Sequence, residues 1–167
     1  MITKRVKQLL EEASTRYDAL PHPEAFTAQD VAKASHVSGR RVAKVVIASA
    51  HDGRYLMAVL PAARRLDLSA LRDAAGARQL SLAGDAELSM LFPDCDLGAM
   101  PPFGALYEMP VYVDACFPRA GEFYFQAGDR REIVRIRYED FERLARPIIG
   151  DFCLHEQDER LGHDADA

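Results

Sequence analysis

Residues 42–61, VAKVVIASAHDGRYLMAVLP, constrain the fold more than any other stretch. Two apolar, β-branched runs, VAKVVIASA and YLMAVLP, flank HDGR, and the Asp52-Gly53 pair suits a tight turn because glycine takes positive φ without a steric penalty. The stretch therefore predicts an antiparallel hairpin. Its first strand is largely apolar on both faces, so other elements must cover both. Further strands are expected at QLSLAG, VYVDA, EFYFQA and EIVRIRY. In the last three, alternation puts Val111, Val113 and Ala115 on one face, as it does Phe123, Phe125 and Ala127, and Val134, Ile136 and Tyr138. A first helix of about four turns is expected after Thr3, where Val6, Leu9, Leu10 and Ala13 form a stripe. Others are expected from Thr27 to about Ser35, from Asp67 to Gly76, over 85–91, and over 139–145 ahead of Pro147. Six strands and about five helices predict an α+β domain on a mixed, barrel-like sheet flanked by helices.

The length of 167 residues fits one domain, expected over 1–150, followed by an acidic tail over 151–167. That tail holds Asp151, Glu156, Asp158, Glu159, Asp164 and Asp166 against Arg160, so it carries as much negative charge as the whole chain's net -5. Residues 1–65 instead hold eleven basic side chains against six acidic ones. Either the first third builds a locally basic surface, or its charges mix evenly over a solvated one. No apolar run reaches the roughly 18–20 residues of a membrane span, and the start MITKRVKQLLEEA is too charged for a signal-peptide core. A soluble, cytoplasmic protein is the expectation. Cys95, Cys116 and Cys153 have no CxxC spacing and fit neither a disulfide framework nor a zinc site, so a reduced compartment is expected. In HEQDERLGH, Glu159 stands where the second ligand of an HExxH helix would sit, and neither GxxxxGK[ST] nor GxGxxG occurs. No metal or cofactor is expected.

Two features carry chemistry. Lys44 shares a strand face with Val42, Val46 and Ala48, while Ala43, Val45 and Ile47 occupy the other. An ammonium there is either a gatekeeper that snorkels past its neighbours or a cation lining a cleft for an anionic or carbonyl-bearing ligand. The second feature is Gly98-Ala99-Met100-Pro101-Pro102-Phe103-Gly104. Paired prolines stiffen this loop and the flanking glycines permit close backbone approach, so N–H groups near Gly98 to Met100 or Phe103 to Ala105 could serve as fixed donors to a carbonyl or oxyanion. It could equally be a rigid connection, and Phe103 could wall a pocket or fill the core. Asp114 could line the same cleft or point outward.

VAKVVIASAHDGRYLMAVLPAARRLDLSALRDAAGA, followed by LGAMPPFG, PVYVD and FYFQAGDRREIVRIRYEDFERL, resembles the YbaK/ProX family of aminoacyl-tRNA deacylases, which is related to the editing domain of bacterial prolyl-tRNA synthetase. The resemblance runs from about His22 to Pro147. It implies hydrolysis of the ester joining a small amino acid to the terminal ribose of a mischarged tRNA, with a water nucleophile aided by the substrate's ribose hydroxyl and without a metal. Lys44 matches the family's catalytic lysine and Gly98–Gly104 its substrate loop, so Lys44 and Gly98 are the expected catalytic positions. Ala99, Met100, Pro101, Pro102, Phe103, Gly104 and Gln126 are the expected substrate contacts, joined by His22 and Thr27, which precede a short helix near the lysine strand; His22 could instead be a hydrogen-bonded loop residue. Lys33, Arg40, Arg41, Arg64 and Arg65 would meet the tRNA acceptor end, and an aminoacyl-tRNA synthetase is compatible as a second partner. Val45 stands where the family often has Thr or Ser, and Gln126 and Ala105 stand where relatives carry Asn. Those departures motivate the alternative of a non-catalytic aminoacyl-tRNA-binding module of the same fold.

Overall fold

The computed structural model describes residues 1–154, so the expected acidic tail lies, from residue 155 on, outside the described residues. Its elements, in chain order, begin with α1 (Lys4–Glu12), β1 (Asp18–Pro21), α2 (Ala28–Ala34), β2 (Ala43–Ala50), β3 (Tyr55–Pro61), α3 (Leu68–Ala74) and β4 (Leu80–Leu82). They continue with α4 (Asp85–Leu91), β5 (Val111–Asp114), β6 (Glu122–Phe125), β7 (Glu132–Arg137), α5 (Tyr138–Ala145) and β8 (Ile148–Gly150). Three of the helices start where expected, each on a side-chain cap: Thr3 accepts from Val6 N–H, Thr27 from Asp30 N–H and Asp67 from Ala70 N–H. The first helix is shorter than expected, at 9 residues, because the chain turns at Ser14 with φ +52°.

The hairpin forms as predicted, with Lys44 opposite Leu60 and Ala48 opposite Leu56. The single barrel-like sheet of about six strands does not. Among the described residues, eight strands divide into an antiparallel sheet of order β1-β7-β6 and a mixed sheet of order β4-β2-β3-β5-β8, with no closed barrel. The sheets meet at a corner where Val42 bridges Tyr124 and the Tyr124 N–H donates to Arg41 O at 2.9 Å. Two strands were not anticipated. β1 and β8 have 4 and 3 residues, and β1 ends on Pro21, which an edge strand tolerates. β5 is also one residue shorter than its alternation suggested, so Ala115 lies beyond it and is exposed.

The main core lies between the sheets and receives Val6 and Leu10 of α1, Ile47, Met57, Val59, Val113, Phe123, Phe125, Val134, Ile136 and Phe141. Phe123 and Phe141 stack at 4.3 Å. Two further clusters hold residues from the opposite face of β2: one joins Val42 to Ala25, Val31, Ala32, Ala62 and Tyr124, and the other joins Ala48 to Leu56, Leu60, Leu71, Phe152 and Cys153. Phe152 and Cys153, beyond β8, thus take part in the packing. Among the described residues, no helix is long and apolar enough to cross a membrane.

Candidate active site

Lys44 is half-buried on β2, which lies inside its sheet with β3 and β4 as neighbours. Its face carries Val42 into the cluster with α2 residues and Ala48 into the cluster with Leu71 of α3, so the ammonium sits between two apolar groups. Nζ donates to Arg64 O at 2.9 Å, which fixes the tip at the turn following β3.

The Gly98–Gly104 loop divides into one exposed position and a buried remainder. Gly98 is exposed with φ +86°, a conformation that favours glycine. Ala99, Met100, Pro101, Pro102, Phe103 and Gly104 are all buried. Met100 and Phe103 join the main core, where Phe103 meets Phe125 edge-on at 5.2 Å. A Cβ on Gly104 would press on Met109 O and come within 2.8 Å of Val111 Cγ2. The Ala99 N–H, one of the expected donors, is bonded to Asp96 O at 3.0 Å, and Ala99 O accepts from Gly128 N–H. Phe103 therefore fills the core.

His22, Phe26 and Thr27 precede α2, and Phe26 leans on the start of this loop. The His22 N–H donates to Arg131 O, and His22 Nδ1 donates to Pro23 O at 2.7 Å, which leaves Nε2 as the ring's other polar atom. That Nε2 is buried without a partner among the described residues. Phe26 is 61% exposed, and the Arg130 guanidinium lies over its ring at 4.7 Å. Arg130 also donates twice to Leu97 O, while Phe26 O would sit 3.2 Å from a Cβ on Gly98. Ala25 shares an apolar cluster with Val42, two residues from Lys44, so this segment links Gly98 to the lysine strand. Thr27 acts as the α2 cap, and Gln126 is buried just beyond β6. The sequence reading missed Phe26 and Arg130. The available signal was an aromatic residue amid the polar stretch HPEAFTAQD.

Arg40, Arg64 and Arg65 lie in segments joined at the Lys44 end of the hairpin, since Ala62 N–H bonds Val42 O and Ala63 N–H bonds Gly39 O. Arg40 and Arg65 are exposed there while Arg64 is half-buried, and Lys33 is exposed on α2. Arg41 has a structural role: its guanidinium donates to Ala120 O and Glu122 O. Asp114 neither lines a cleft nor points outward. It is 2% exposed and accepts from the N–H groups of Cys116, Phe152 and Cys153. Asp114, Cys116 and Cys153 form a cluster with metal-ligand chemistry, their candidate atoms lying within 4.8 Å of one another. A cavity of about 480 Å³, lined among others by His51, Tyr55, Tyr107 and Met109, opens at the turn end of the hairpin. Lys44 lies six residues from Ala50 along β2, or roughly 20 Å, so that cavity is separate from this site.

A family model described as an aminoacyl-tRNA editing domain matches residues 22–144. The curated proteins include the multifunctional Ser/Thr-tRNA deacylase ProXp-y of Escherichia coli K12, 33% identical over 100 residues. That match covers 59% of this chain and 59% of the length of that relative. Among solved structures, a "putative trans-editing enzyme for prolyl tRNA synthetase" superposes with a TM-score of 0.79 at 21% identity, covering 91% of this chain and 96% of its own. The hypothetical protein APE2540 superposes with a TM-score of 0.80 at 18% identity, covering 90% of this chain and 100% of its own. At such identities these two likenesses concern the fold.

Proposed function

The chain belongs to the aminoacyl-tRNA editing domain family, and from that membership we propose that it is a trans-editing hydrolase that removes a small amino acid from mischarged tRNA. The observation that carries this reading is Lys44, a cation held half-buried between two apolar clusters at the end of the hairpin where the basic residues gather. In the reaction, a water oxygen attacks the ester carbonyl carbon, the bond to the ribose oxygen breaks, and that oxygen leaves with a proton. Lys44 positions the substrate through its terminal phosphate or aminoacyl group. The exposed backbone at Gly98 is where the ester approaches the loop, since no side chain intervenes there. His22 Nε2, buried without a partner among the described residues, suits a polar substrate group such as a ribose hydroxyl. An aminoacyl-tRNA synthetase is the further partner this reading accommodates, as the source of the mischarged tRNA.

Phe26 and Arg130 offer a platform for the terminal base, because stacking on an exposed aromatic is sequence-tolerant and worth about 1–3 kcal/mol per base. Phe26→Ala is expected to raise KM about tenfold with little change in kcat or in thermal stability, its ring being 61% exposed. A full tenfold loss in kcat at unchanged KM would remove Phe26 from the binding platform.

Phosphate contacts are assigned to Lys33, Arg40 and Arg65, and half-buried Arg64 flanks them. Each neutralised phosphate of a single strand contributes roughly -0.7 to the slope of log K against log salt. Arg40→Ala/Arg65→Ala is therefore expected to make that slope shallower by about 1.4 in a tRNA-binding titration. An unchanged slope would place the basic surface elsewhere. Arg41→Ala is unsuited to this test because it removes the ties to Ala120 and Glu122.

One observation favours the second reading, a non-catalytic aminoacyl-tRNA-binding module: the Ala99 N–H, which an oxyanion site would use, is already bonded to Asp96 O. The discriminating experiment is amino-acid release from tRNAs charged with non-cognate Ala, Ser, Cys or Pro. Hydrolysis above the spontaneous rate supports the enzyme, and binding without hydrolysis supports the module.

A further inference from the structure

We propose that Cys116 and Cys153 are a redox site, forming a reversible intramolecular disulfide that ties the C-terminal segment, which pairs with the turn holding Lys44, to the end of β5. The sheet itself brings the two thiols together. β5 and β8 are parallel neighbours with Asp114 opposite Gly150, and the Ala115 N–H donates to Gly150 O at 2.8 Å. Each cysteine follows its strand within a few residues, and their sulfurs lie 3.4 Å apart although 37 positions separate them in sequence. Both cysteine backbones are also gripped by one carboxylate: Asp114 Oδ1 accepts from Cys116 N–H, and Oδ2 from Phe152 and Cys153 N–H. That grip also argues against a metal, because a cation would share an acceptor already engaged by three N–H groups.

The two thiols differ in a way that orders the reaction. Cys116 is exposed and Cys153 is buried. The hydrogen bond from Cys116, burial and the Asp114 charge hold the Cys153 thiol above its ordinary range, so it is the slower to ionise. The third cysteine, Cys95, is pushed up to about 12, chiefly by burial, and is kept as an unreactive thiol. With hydrogen peroxide as oxidant, the Cys116 thiolate takes a hydroxyl group by cleaving the O–O bond, giving a sulfenic acid as hydroxide leaves and gains a proton to become water. The Cys153 sulfur then attacks the Cys116 sulfur. The S–S bond forms, the S–O bond breaks, and hydroxide departs as water with the Cys153 proton. Two thiols and one peroxide thus give one disulfide and two waters.

The consequence reaches Lys44 through backbone contacts. Cys153 bridges Leu66, the Asp67 N–H donates to Phe152 O, and the Leu154 N–H donates to Arg65 O, directly after the Arg64 carbonyl that accepts from Lys44. A bond at Cys153 ties one side of this pairing to the end of β5. The chemistry is independent of the proposed deacylation, so either can fail without the other.

The test treats the reduced full-length chain with hydrogen peroxide, traps remaining thiols with an alkylating maleimide, and reads intact mass and peptide linkage. The expected result is a loss of two hydrogens, one linked peptide pair containing Cys116 and Cys153, and a rise in Tm of about 5–10 °C that dithiothreitol reverses. Cys95→Ser should behave as the wild type, and Cys116→Ser should give no link. Cys153→Ala should accumulate the Cys116 sulfenic acid, detected as a dimedone adduct. Oxidation at Cys95 ahead of Cys116, or links only between chains, would overturn the proposal. So would stoichiometric zinc uptake by the reduced chain that Cys153→Ala abolishes. If Cys153→Ala does not fold, the wild-type peptide map decides alone.

Discussion

Replacing Lys44 by alanine is expected to lower kcat/KM for deacylation about 10²- to 10³-fold while leaving the chain folded, since a preorganised charge at a reacting centre is typically worth roughly 3–4 kcal/mol. The structural cost is smaller. Alanine leaves the β2–β3 register intact and removes the bond to Arg64 O, a loss of about 1 kcal/mol. Lys44→Arg should not restore activity, because the planar guanidinium fork is larger than the compact ammonium that donates to Arg64 O. Single-turnover hydrolysis beside thermal denaturation checks both parts. Full activity in a folded Lys44→Ala chain would remove the lysine from the mechanism.

The second large effect is on stability. Asp114→Ala is expected to destabilise the fold by about 3–5 kcal/mol, a large part of the roughly 5–15 kcal/mol available to a domain, because it strands three N–H groups at the junction of β5 with the C-terminal segment. Burial works against the Asp114 charge, but the N–H and thiol donors around it outweigh that and hold the carboxyl below its ordinary range. The sign of the pH effect follows. A carboxyl with a lowered folded pKa stabilises fully above its unfolded pKa of about 3.9, and the contribution disappears as pH falls through the folded value. The gap in urea midpoint between wild type and Asp114→Asn should therefore be wide at pH 7 and narrow below about pH 4. A gap that stays constant across that range would refute the ionised clamp.

What the sequence made legible was local. The hairpin over 42–61 could be read because both strands are long and β-branched and Asp52-Gly53 turns between them, and the caps at Thr3, Thr27 and Asp67 are properties of single residues and their immediate neighbours. The division into two sheets was hidden because the alternation in EFYFQA drew attention to Phe123 and Phe125. Tyr124, on the other face, is also buried, and it forms the corner with Val42. Asp114 could not be interpreted from its strand, since two of its three N–H donors come from Phe152 and Cys153, 38 and 39 positions away. The site divides in the same way. Lys44 stood out as a cation among apolar neighbours. The inward-turned Ala99 N–H, the structural commitment of Arg41 and the Phe26–Arg130 stack depend on contacts between distant segments.

The central claim is catalysis rather than binding, and it is tested most directly by counting turnovers: amino-acid release from tRNAs charged with non-cognate Ala, Ser, Cys and Pro, with the chain present at a small fraction of the tRNA. The account predicts release of many equivalents per chain from at least one of these esters, and release about 10²- to 10³-fold slower when Lys44→Ala is used. Tight binding of the charged tRNA by the wild type with no release from any of them would contradict it.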